Sequence, residues 1–214
     1  ALREEFFPDE IISYLCEESG SKISIIPDES YSVDTKVDYD TKVLGTQTAI
    51  LKDISDFKNE ISSARTFSFL HELETLLENG LIKGGDLNNA IVYVDKPLAN
   101  SNMDRLKKAF NKDSISVKEN GILDNLSLHY PNEAARHKLL DIIGDLALIG
   151  MKIRGKVIAE KPGHSINAKF AQKVSEVIKS DRKNILPKLN FDKKPLMNSS
   201  QIMDVIPHRP CLLY

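Results

Sequence analysis

The sequence predicts an α+β fold in which helices pack on one face of a β-sheet. Segments with period-two alternation of apolar and polar residues, typical of strands, are frequent before residue 60. Segments with helical periodicity dominate beyond residue 133. Strands first and helices afterwards, in a mixed order, are typical of α+β domains.

Three strands are predicted near the start of the chain. Residues 23–26 and 31–39 alternate between apolar and polar side chains, and residues 27–30 between them supply turn chemistry. Residues 46–51 are the third predicted strand. The earlier segment 10–18 fits either a short helix or a strand.

The middle of the chain mixes short helices with extended segments. Asp53 or Ser55 is placed to cap a helix over residues 56–61. The next predicted elements, in order, are an extended segment at 65–69, a helix over 70–78, a strand at 90–94, a helix over 103–111 and a strand at 115–117. The pattern loosens within about residues 80–130, which indicates an insertion on the domain.

Residues 134–150 form the most informative segment, a predicted helix. At about 100° per residue, His137, Asp141, Asp145 and Leu148 fall on one stripe, and apolar residues fill most of the remaining circumference. A helix this apolar is largely buried, so we expect its imidazole and two carboxylates below the surface. Buried charges need a metal or a partner. His137 and Asp141 lie one turn apart and provide half of a metal site, with a simple hydrogen bond between them as the alternative.

A second imidazole follows a predicted strand at residues 152–160. His164 comes directly after Pro162 and Gly163, which favour a turn, and before a predicted helix over 165–180. An imidazole delivered by a turn beside a helix lined with carboxylates is the arrangement that general acid–base chemistry uses.

Three motifs, in this order, together resemble one family. Ala-Arg-Thr-Phe-Ser-Phe at residues 64–69 is followed by Gly-Gly at 84–85 with Ala-Ile-Val at 90–92, and then by residues 136–146 with Gly-His-Ser-Ile-Asn at 163–167. They resemble the LpxC family, the zinc-dependent UDP-3-O-acyl-N-acetylglucosamine deacetylases of lipid A biosynthesis. Ser68 stands where that family has a glycine. The match runs from about residue 22 to residue 170, and the combination is highly specific.

The resemblance implies a domain organisation. The family has two similar α/β sandwich domains whose helices face one another, and this chain would cover the second, as a two-layer sandwich over residues 21–183 with the inserted subdomain. Residues 1–20 would be the end of the first domain or an interdomain linker. The chain begins without methionine and stops inside a hydrophobic run, so we expect both ends to be cut.

The resemblance also implies a zinc site shared between the two domains. His137 and Asp141 would be two ligands, whereas the third, a histidine, and the glutamate that acts as general base would belong to the absent first domain. His71 and His129 are possible third ligands from within this chain, but neither lies in a motif, and exposed surface histidines are expected. On this basis the chain alone would bind zinc weakly and have little activity.

The remaining roles follow from the same resemblance. Thr66 would donate to the oxyanion, His164 would protonate the leaving amine, and Asp145 would orient His164. The substrate, a UDP-sugar with an acyl chain, would be contacted by Lys138 at its diphosphate, by Phe67 at its sugar and by Lys22 at its nucleotide. Residues 81–90 would line the passage for the acyl chain.

The character of the chain changes past residue 181. Residues 184–197 are polar and contain two prolines, which is typical of a linker. Residues 198–214 resemble the start of a hot-dog-fold 3-hydroxyacyl-acyl carrier protein dehydratase, truncated here. The parent protein would then be a bifunctional fusion that also engages acyl carrier protein. The alternative is a linker whose Pro-His-Arg segment is accidental.

Bulk properties exclude several classes. Lysine and arginine total 29 against 31 acidic residues, a net charge of −2, so no broad basic surface indicates nucleic-acid binding. No apolar run is long enough to span a bilayer, and Cys16 and Cys211 lack metal-ligand spacing, so a cytoplasmic protein with free thiols is expected. Two alternatives to the deacetylase stay open: a metal phosphohydrolase, and a non-catalytic module that binds a nucleotide sugar or an acyl chain.

Overall fold

The structure, a computed structural model, describes residues 4–72, 90–95, 104, 106–108, 112–117, 119, 121–123 and 126–185. The chain divides into two compact units, residues 1–178 and residues 179–214. Of the second unit, only the last turns of a helix, up to residue 185, belong to the described part. The sheet, the core and the candidate site all lie in the first unit.

The described strands are short and numerous. In chain order they are β1 (Glu5–Phe6), β2 (Ile12–Cys16), β3 (Ser21–Ile26), β4 (Tyr31–Asp38), β5 (Thr46–Leu51), β6 (Thr66–Phe69), β7 (Ala90–Tyr93), β8 (Lys152–Ile153) and β9 (Gly155–Glu160). Five of them form the central sheet, in the order β2-β3-β9-β4-β5. Neighbours in this sheet are antiparallel except β4 and β9, which run parallel with Thr35 opposite Ala159.

Two smaller strand pairs accompany the central sheet. β1 pairs in parallel with β8, and β6 pairs in parallel with β7 as a separate two-stranded sheet. Tyr93 at the end of β7 bridges to Ile122, which ties the segment after residue 120 to this small sheet. Because β6 covers residues 66–69, the small sheet contains most of the first family-like motif, residues 64–69.

Three α-helices complete the described elements: α1 (Phe57–Glu60), α2 (Glu133–Ala147) and α3 (His164–Ile185). A 3-10 turn over Ile54–Asp56 precedes α1, and the side chain of Asp53 caps it by accepting a hydrogen bond from the backbone N–H of Ser55 at 2.8 Å. No helix in the described part of the chain is long and apolar enough to cross a membrane.

The core lies between one face of the central sheet and the apolar sides of α2 and α3. Alternate strand residues that point to this face, such as Ile23, Val33 and Val157, share one buried cluster with Leu139 of α2 and Phe170 of α3. Period-two burial on the strands and three-to-four-residue spacing on the helices bring their apolar surfaces together. The predicted mixed content of helices and strands is therefore confirmed.

The element predictions are mostly confirmed, with local corrections. Residues 10–18 contain a strand, β2, which decides between the two alternatives. The predicted strand 152–160 is two strands, because Gly155 has φ 142° and a Cβ there would lie 2.9 Å from the carbonyl oxygen of Ile26. The predicted helix 56–61 begins instead as a 3-10 turn at Ile54. The predicted helices over 70–78 and 103–111 lie largely outside the described residues.

Candidate active site

Helix α2 carries the predicted stripe of His137, Asp141 and Asp145 on successive turns. Their side chains are 16%, 7% and 21% exposed, so all three lie largely below the surface, as predicted. Leu148, predicted to continue the stripe, follows the end of the helix and is 82% exposed. The stripe therefore ends at Asp145 and consists of His137, Asp141 and Asp145.

The imidazole of His137 is held from both sides. Its Nδ1 lies 3.2 Å from the backbone carbonyl oxygen of Ala64, and its Nε2 lies 3.4 Å from Oδ1 of Asp141. A carbonyl oxygen only accepts hydrogen bonds, so Nδ1 carries the proton in the neutral imidazole. The lone pair of Nε2 then points toward the Asp141 carboxylate.

The second oxygen of Asp141 has two nitrogen neighbours. Lys138 Nζ lies 3.1 Å from Oδ2, and His164 Nε2 lies 4.0 Å from the same atom. Tyr39, at the end of β4, also senses this charge: burial, and secondarily the negative charges of Asp141 and Glu72, raise the pKa of Tyr39 to about 12. Oδ2 of Asp141 therefore lies near a nitrogen atom of α2 and a nitrogen atom at the start of α3.

His164 and Asp145 form a hydrogen-bonded dyad. Nδ1 of His164 lies 2.9 Å from Oδ2 of Asp145, while the imidazole itself is 70% exposed. His164 is the first residue of α3, immediately after the predicted Pro-Gly turn. Because Nδ1 donates to the carboxylate, Nε2 faces the open side, toward Asp141.

A buried ion pair fixes the segment that leads to Thr66. Glu133, in the first turn of α2, has no exposed surface and accepts hydrogen bonds from Arg65 Nε at 2.8 Å and Arg65 Nη2 at 3.0 Å. The backbone N–H groups of Arg65 and His129 donate to the same carboxylate. This pair holds the Ala64 carbonyl where His137 reaches it.

Two further residues of the motif lie near this arrangement. Thr66 is exposed and starts β6, two residues after the carbonyl that holds His137. Phe67 lies next to the candidate ligand, with its ring centroid 6.5 Å from that of His137 and 5.5 Å from Lys138 Nζ. Phe67 also contacts Tyr39 edge-on. Thr66 and Phe67 therefore begin a strand that is anchored beside the stripe.

The structure does not bring every predicted site residue to this cluster. Lys22 is exposed on β3, opposite Glu160, and lines a separate groove with residues such as Ser13. His71 and His129, expected at the surface, are each about half exposed. His71 contacts Asp95, and the His129 ring contacts the carbonyl oxygen of Ser63.

Sequence reasoning assigned no role to three groups that the structure places at the site. These are the Glu133 carboxylate, the Ala64 carbonyl and the Tyr39 hydroxyl. Glu133 is 68 residues from Arg65 in sequence, and nothing in local spacing relates them. The sequence shows only that Glu133 lies in the first turn of an apolar helix. An acidic residue is common at that position because it stabilises the helix N-terminus, so its presence does not predict the ion pair with Arg65.

The described residues contain no group of three or more His, Cys, Asp or Glu side chains arranged to hold a metal ion. The His137–Asp141 pair is thus a two-residue donor set within the part of the chain that the structure covers. A histidine and a carboxylate that converge beside a second His–Asp dyad are typical of metal-assisted hydrolases.

Comparison with known proteins places the chain in a family. The family model described as LpxC: UDP-3-O-acyl N-acetylglycosamine deacetylase matches residues 9–112 and 104–176, and the chain belongs to this family. The resemblance inferred from the three motifs is therefore confirmed.

Among similar proteins, a bifunctional enzyme LpxC/FabZ from Porphyromonas gingivalis is 47% identical over 92% of this chain and 42% of its own length. A bifunctional enzyme LpxC/FabZ from Bacteroides thetaiotaomicron is 39% identical over 98% of this chain and 45% of its own length. A UDP-3-O-acyl-N-acetylglucosamine deacetylase from Syntrophotalea carbinolica is 34% identical over 72% of this chain and 42% of its own length. The chain thus spans less than half the length of these relatives.

Proposed function

We propose that the protein that contains this chain hydrolyses the N-acetyl group of UDP-3-O-acyl-N-acetylglucosamine in lipid A biosynthesis, with zinc as cofactor. The observation that carries the proposal is the His164–Asp145 dyad, whose free imidazole nitrogen lies 4.0 Å from the carboxylate of the candidate ligand Asp141. A general acid beside a metal-ligand pair is one arrangement that supports hydrolysis of an unactivated amide. Family membership supplies the substrate class.

The His137–Asp141 pair fits a zinc ion. With Nδ1 of His137 donating to Ala64, both Nε2 of His137 and Oδ1 of Asp141 present lone pairs to each other at 3.4 Å. Two acceptors that face each other are bridged either by a second proton on the imidazole or by a metal ion, and zinc fits the second case. Tetrahedral zinc, with bond lengths of about 2.0–2.2 Å, separates two such ligand atoms by about 3.4 Å. Zinc bound here would activate a water and polarise the acetyl carbonyl.

His164 is the proposed general acid. Asp145 holds Nδ1, so the Nε2 nitrogen is the one available for transfer of a proton to the leaving amine. An amide needs this proton because an unprotonated amine is a poor leaving group.

Three other residues have proposed contacts with the substrate. Thr66, exposed at the start of β6, would donate its hydroxyl proton to the oxyanion. Lys138, which lies 3.1 Å from Asp141 Oδ2, would turn toward the diphosphate when substrate and metal are bound. Phe67 would pack beside the sugar. Lys22 is proposed as a nucleotide contact only on the basis of the resemblance, since it lines a different groove.

The remaining parts of the site are proposed to come from outside this chain. Zinc in hydrolases usually has three protein ligands, and the described residues supply two. We propose that the missing histidine and the general-base glutamate lie in a first α/β sandwich domain, and that residues 21–183 are the second, two-layer domain with its insertion. The chain alone is then expected to bind zinc weakly and to be nearly inactive.

A second activity is proposed for the parent protein on the basis of residues 198–214, which lie outside the described part of the chain. The LpxC/FabZ names of the relatives from Porphyromonas and Bacteroides fit a fusion of deacetylase and 3-hydroxyacyl-acyl carrier protein dehydratase. Acyl carrier protein would be the partner of the appended domain.

The two alternative functions receive less support. The metal phosphohydrolase receives less support because the matched family model describes a deacetylase. A non-catalytic binding module would have no use for a dyad with one imidazole nitrogen held and the other open to solvent.

The test is deacetylation of UDP-3-O-acyl-N-acetylglucosamine by the full-length protein, followed by mass spectrometry of the free amine. We expect His164→Ala to lower kcat by about 10²–10⁴-fold, the usual contribution of a general acid. The matched control is His71→Ala, which removes another imidazole that contacts a carboxylate, and it should retain kcat. Absence of activity in the wild-type protein, or equal loss in both variants, would contradict the proposal.

A further inference from the structure

Asn167 is a buried amide for which the proposed reaction has no role. It lies on α3 one turn after His164 and has no exposed surface. Its Nδ2 donates a hydrogen bond to Oδ2 of Asp145 at 2.8 Å. Its Oδ1 is buried and has no hydrogen-bond partner. Among the described residues, the one hydrogen bond of the Asn167 side chain is therefore with the residue that orients the proposed acid.

The orientation of this amide follows from the charge of its partner. An ionised carboxylate only accepts hydrogen bonds, so the NH₂ group of Asn167 must face Asp145. The amide oxygen then points to the opposite side and stays unpaired. A buried polar atom without a partner is costly, and an apolar side chain of similar size would avoid that cost. Stability alone thus gives no reason for an asparagine here.

The contact joins the two catalytic helices through a single oxygen atom. Oδ2 of Asp145 accepts from Asn167 Nδ2 at 2.8 Å and from His164 Nδ1 at 2.9 Å. The backbone N–H of Asn167 donates to the carbonyl oxygen of Gly163, which closes the first turn of α3. A residue three positions after His164 lies on the same helix face, so both donors reach the same acceptor.

The dyad needs such a support because His164 has few other restraints. Its imidazole is 70% exposed, and Asp145 Oδ2 is the atom that holds Nδ1. With Asn167 in place, rotation of the Asp145 carboxylate would break two hydrogen bonds instead of one. A positioned side chain transfers a proton efficiently only when its own orienting partner is fixed.

We propose that Asn167 is a positioning residue for the proposed deacetylation: its amide fixes the Asp145 carboxylate so that the same oxygen holds His164 with Nε2 toward the reacting side. The expected effect on kcat rests on the proposed function, whereas the expected effect on the His164 tautomer does not. The hydrogen bonds described for the Asn167 side chain reach Asp145 and neither His137 nor Asp141, so its effect should be confined to the dyad.

A double-mutant cycle in the full-length protein tests the kinetic consequence. Asn167→Ala should lower kcat by about 10–100-fold with little change in KM, the range found when an orienting partner is removed. Combined with Asp145→Ala, it should cause no further loss beyond about twofold, because the group through which it acts is already gone. Losses that multiply in the double variant would overturn the proposal.

Two more variants separate positioning from folding. Val174→Ala removes buried volume from the same helix without touching the dyad, since Val174 is 1% exposed in the core cluster. It should lower the thermal midpoint while kcat is retained. Asn167→Leu, assayed in parallel, keeps the buried volume but removes the donor, and should be as slow as Asn167→Ala. Retention of wild-type kcat by Asn167→Leu would contradict the proposal.

The structural consequence can be tested without activity. Long-range ¹H–¹⁵N correlation spectra of histidine-labelled protein report the tautomer of His164, with His164→Ala used for assignment. We expect a dominant Nδ1–H tautomer in the wild-type protein and a mixture in Asn167→Leu. An unchanged tautomer would overturn the positioning role. If the wild-type protein fails to deacetylate while Asn167→Leu still loses the Nδ1–H tautomer, the proposed function is refuted and the positioning role stands.

Discussion

The guanidinium of Arg65 and the carboxylate of Glu133 form a bidentate ion pair with no exposed surface on the carboxylate, at 2.8 Å and 3.0 Å. The pair connects the residue before Thr66 to the first turn of α2, across 68 positions in sequence. Arg65 Nη2 also donates to the carbonyl oxygen of Ser127 at 2.7 Å. Because the Ala64 carbonyl holds His137, this ion pair links the packing of β6 to the orientation of a candidate zinc ligand.

The first prediction concerns the stability of this ion pair. Glu133→Gln should lower the free energy of unfolding by about 3–5 kcal/mol, because it leaves a charged guanidinium without its counter-ion in a dry environment. The midpoint of urea unfolding measures the loss. Glu60→Gln is the matched control, since Glu60 is 48% exposed and lies 4.0 Å from Arg136 Nη1. It should cost less than about 1 kcal/mol. Equal losses in the two variants would contradict the prediction.

The second prediction is a pH dependence from the same carboxylate. Burial raises the pKa of Glu133, but hydrogen bonds from the Arg65 side chain and from the backbone N–H groups of Arg65 and His129 outweigh it and leave the pKa below its usual value of 4.5. As the pH falls, the carboxyl group of Glu133 is therefore protonated in the unfolded state before it is protonated in the folded state. The stabilisation is complete above about pH 4.5 and is lost as the pH falls through the lower folded-state pKa. Urea midpoints between pH 3 and pH 7 should fall less steeply for Glu133→Gln than for the wild-type protein.

The third prediction concerns zinc in the full-length protein. His137→Ala and Asp141→Ala should each lower zinc affinity by more than about 100-fold, because each removes a ligand rather than a partner of a ligand. Competition with a chromophoric chelator measures the affinity. Asp145→Asn is the control, since this residue contacts His164 and Asn167 but not the ligand pair. Zinc affinity that survives in both ligand variants would exclude this pair as the metal site.

The fourth prediction uses one substitution at two glycines. Gly155→Ala should destabilise the protein by about 1–3 kcal/mol, because its φ of 142° and the Ile26 carbonyl oxygen at 2.9 Å from the added Cβ both oppose a side chain. Gly144→Ala should stabilise it by about 0.5–1 kcal/mol, since no atom outside the adjacent residues and the helix's own backbone lies within 4 Å of the added Cβ. Opposite shifts of the thermal midpoint confirm the prediction, and shifts of the same sign contradict it.

The features that sequence reasoning predicted are those set by local spacing. His137 and Asp141 share one helix, and four residues are one turn, so their convergence required only that the helix form. The alternation of β3 and β4 likewise predicted the face that each strand buries, and the core confirms it at Ile23 and Val33. Three motifs in order were enough for the family, because their joint occurrence is far more specific than any one of them.

Contacts between segments that are distant in sequence were harder to predict. The His164–Asp145 contact was expected from the resemblance, but its geometry depends on how α3 packs against α2. Lys22 stays a prediction: the resemblance places it at the nucleotide, whereas its position on β3 directs it to a groove with Ser13 and Glu160. A one-residue step along a strand moves a side chain to the other face of the sheet.

By itself, the sequence determined the elements, the burial of their apolar faces and the stripe on α2, since periodicities of two and about 3.6 residues are properties of the chain alone. Tertiary packing decided that a carbonyl of residue 64 holds one imidazole and that a single carboxylate oxygen accepts from both His164 and Asn167. The physical reason is that hydrogen bonds depend on distances of a few tenths of an ångström, and such distances between remote segments are set only when the whole core packs.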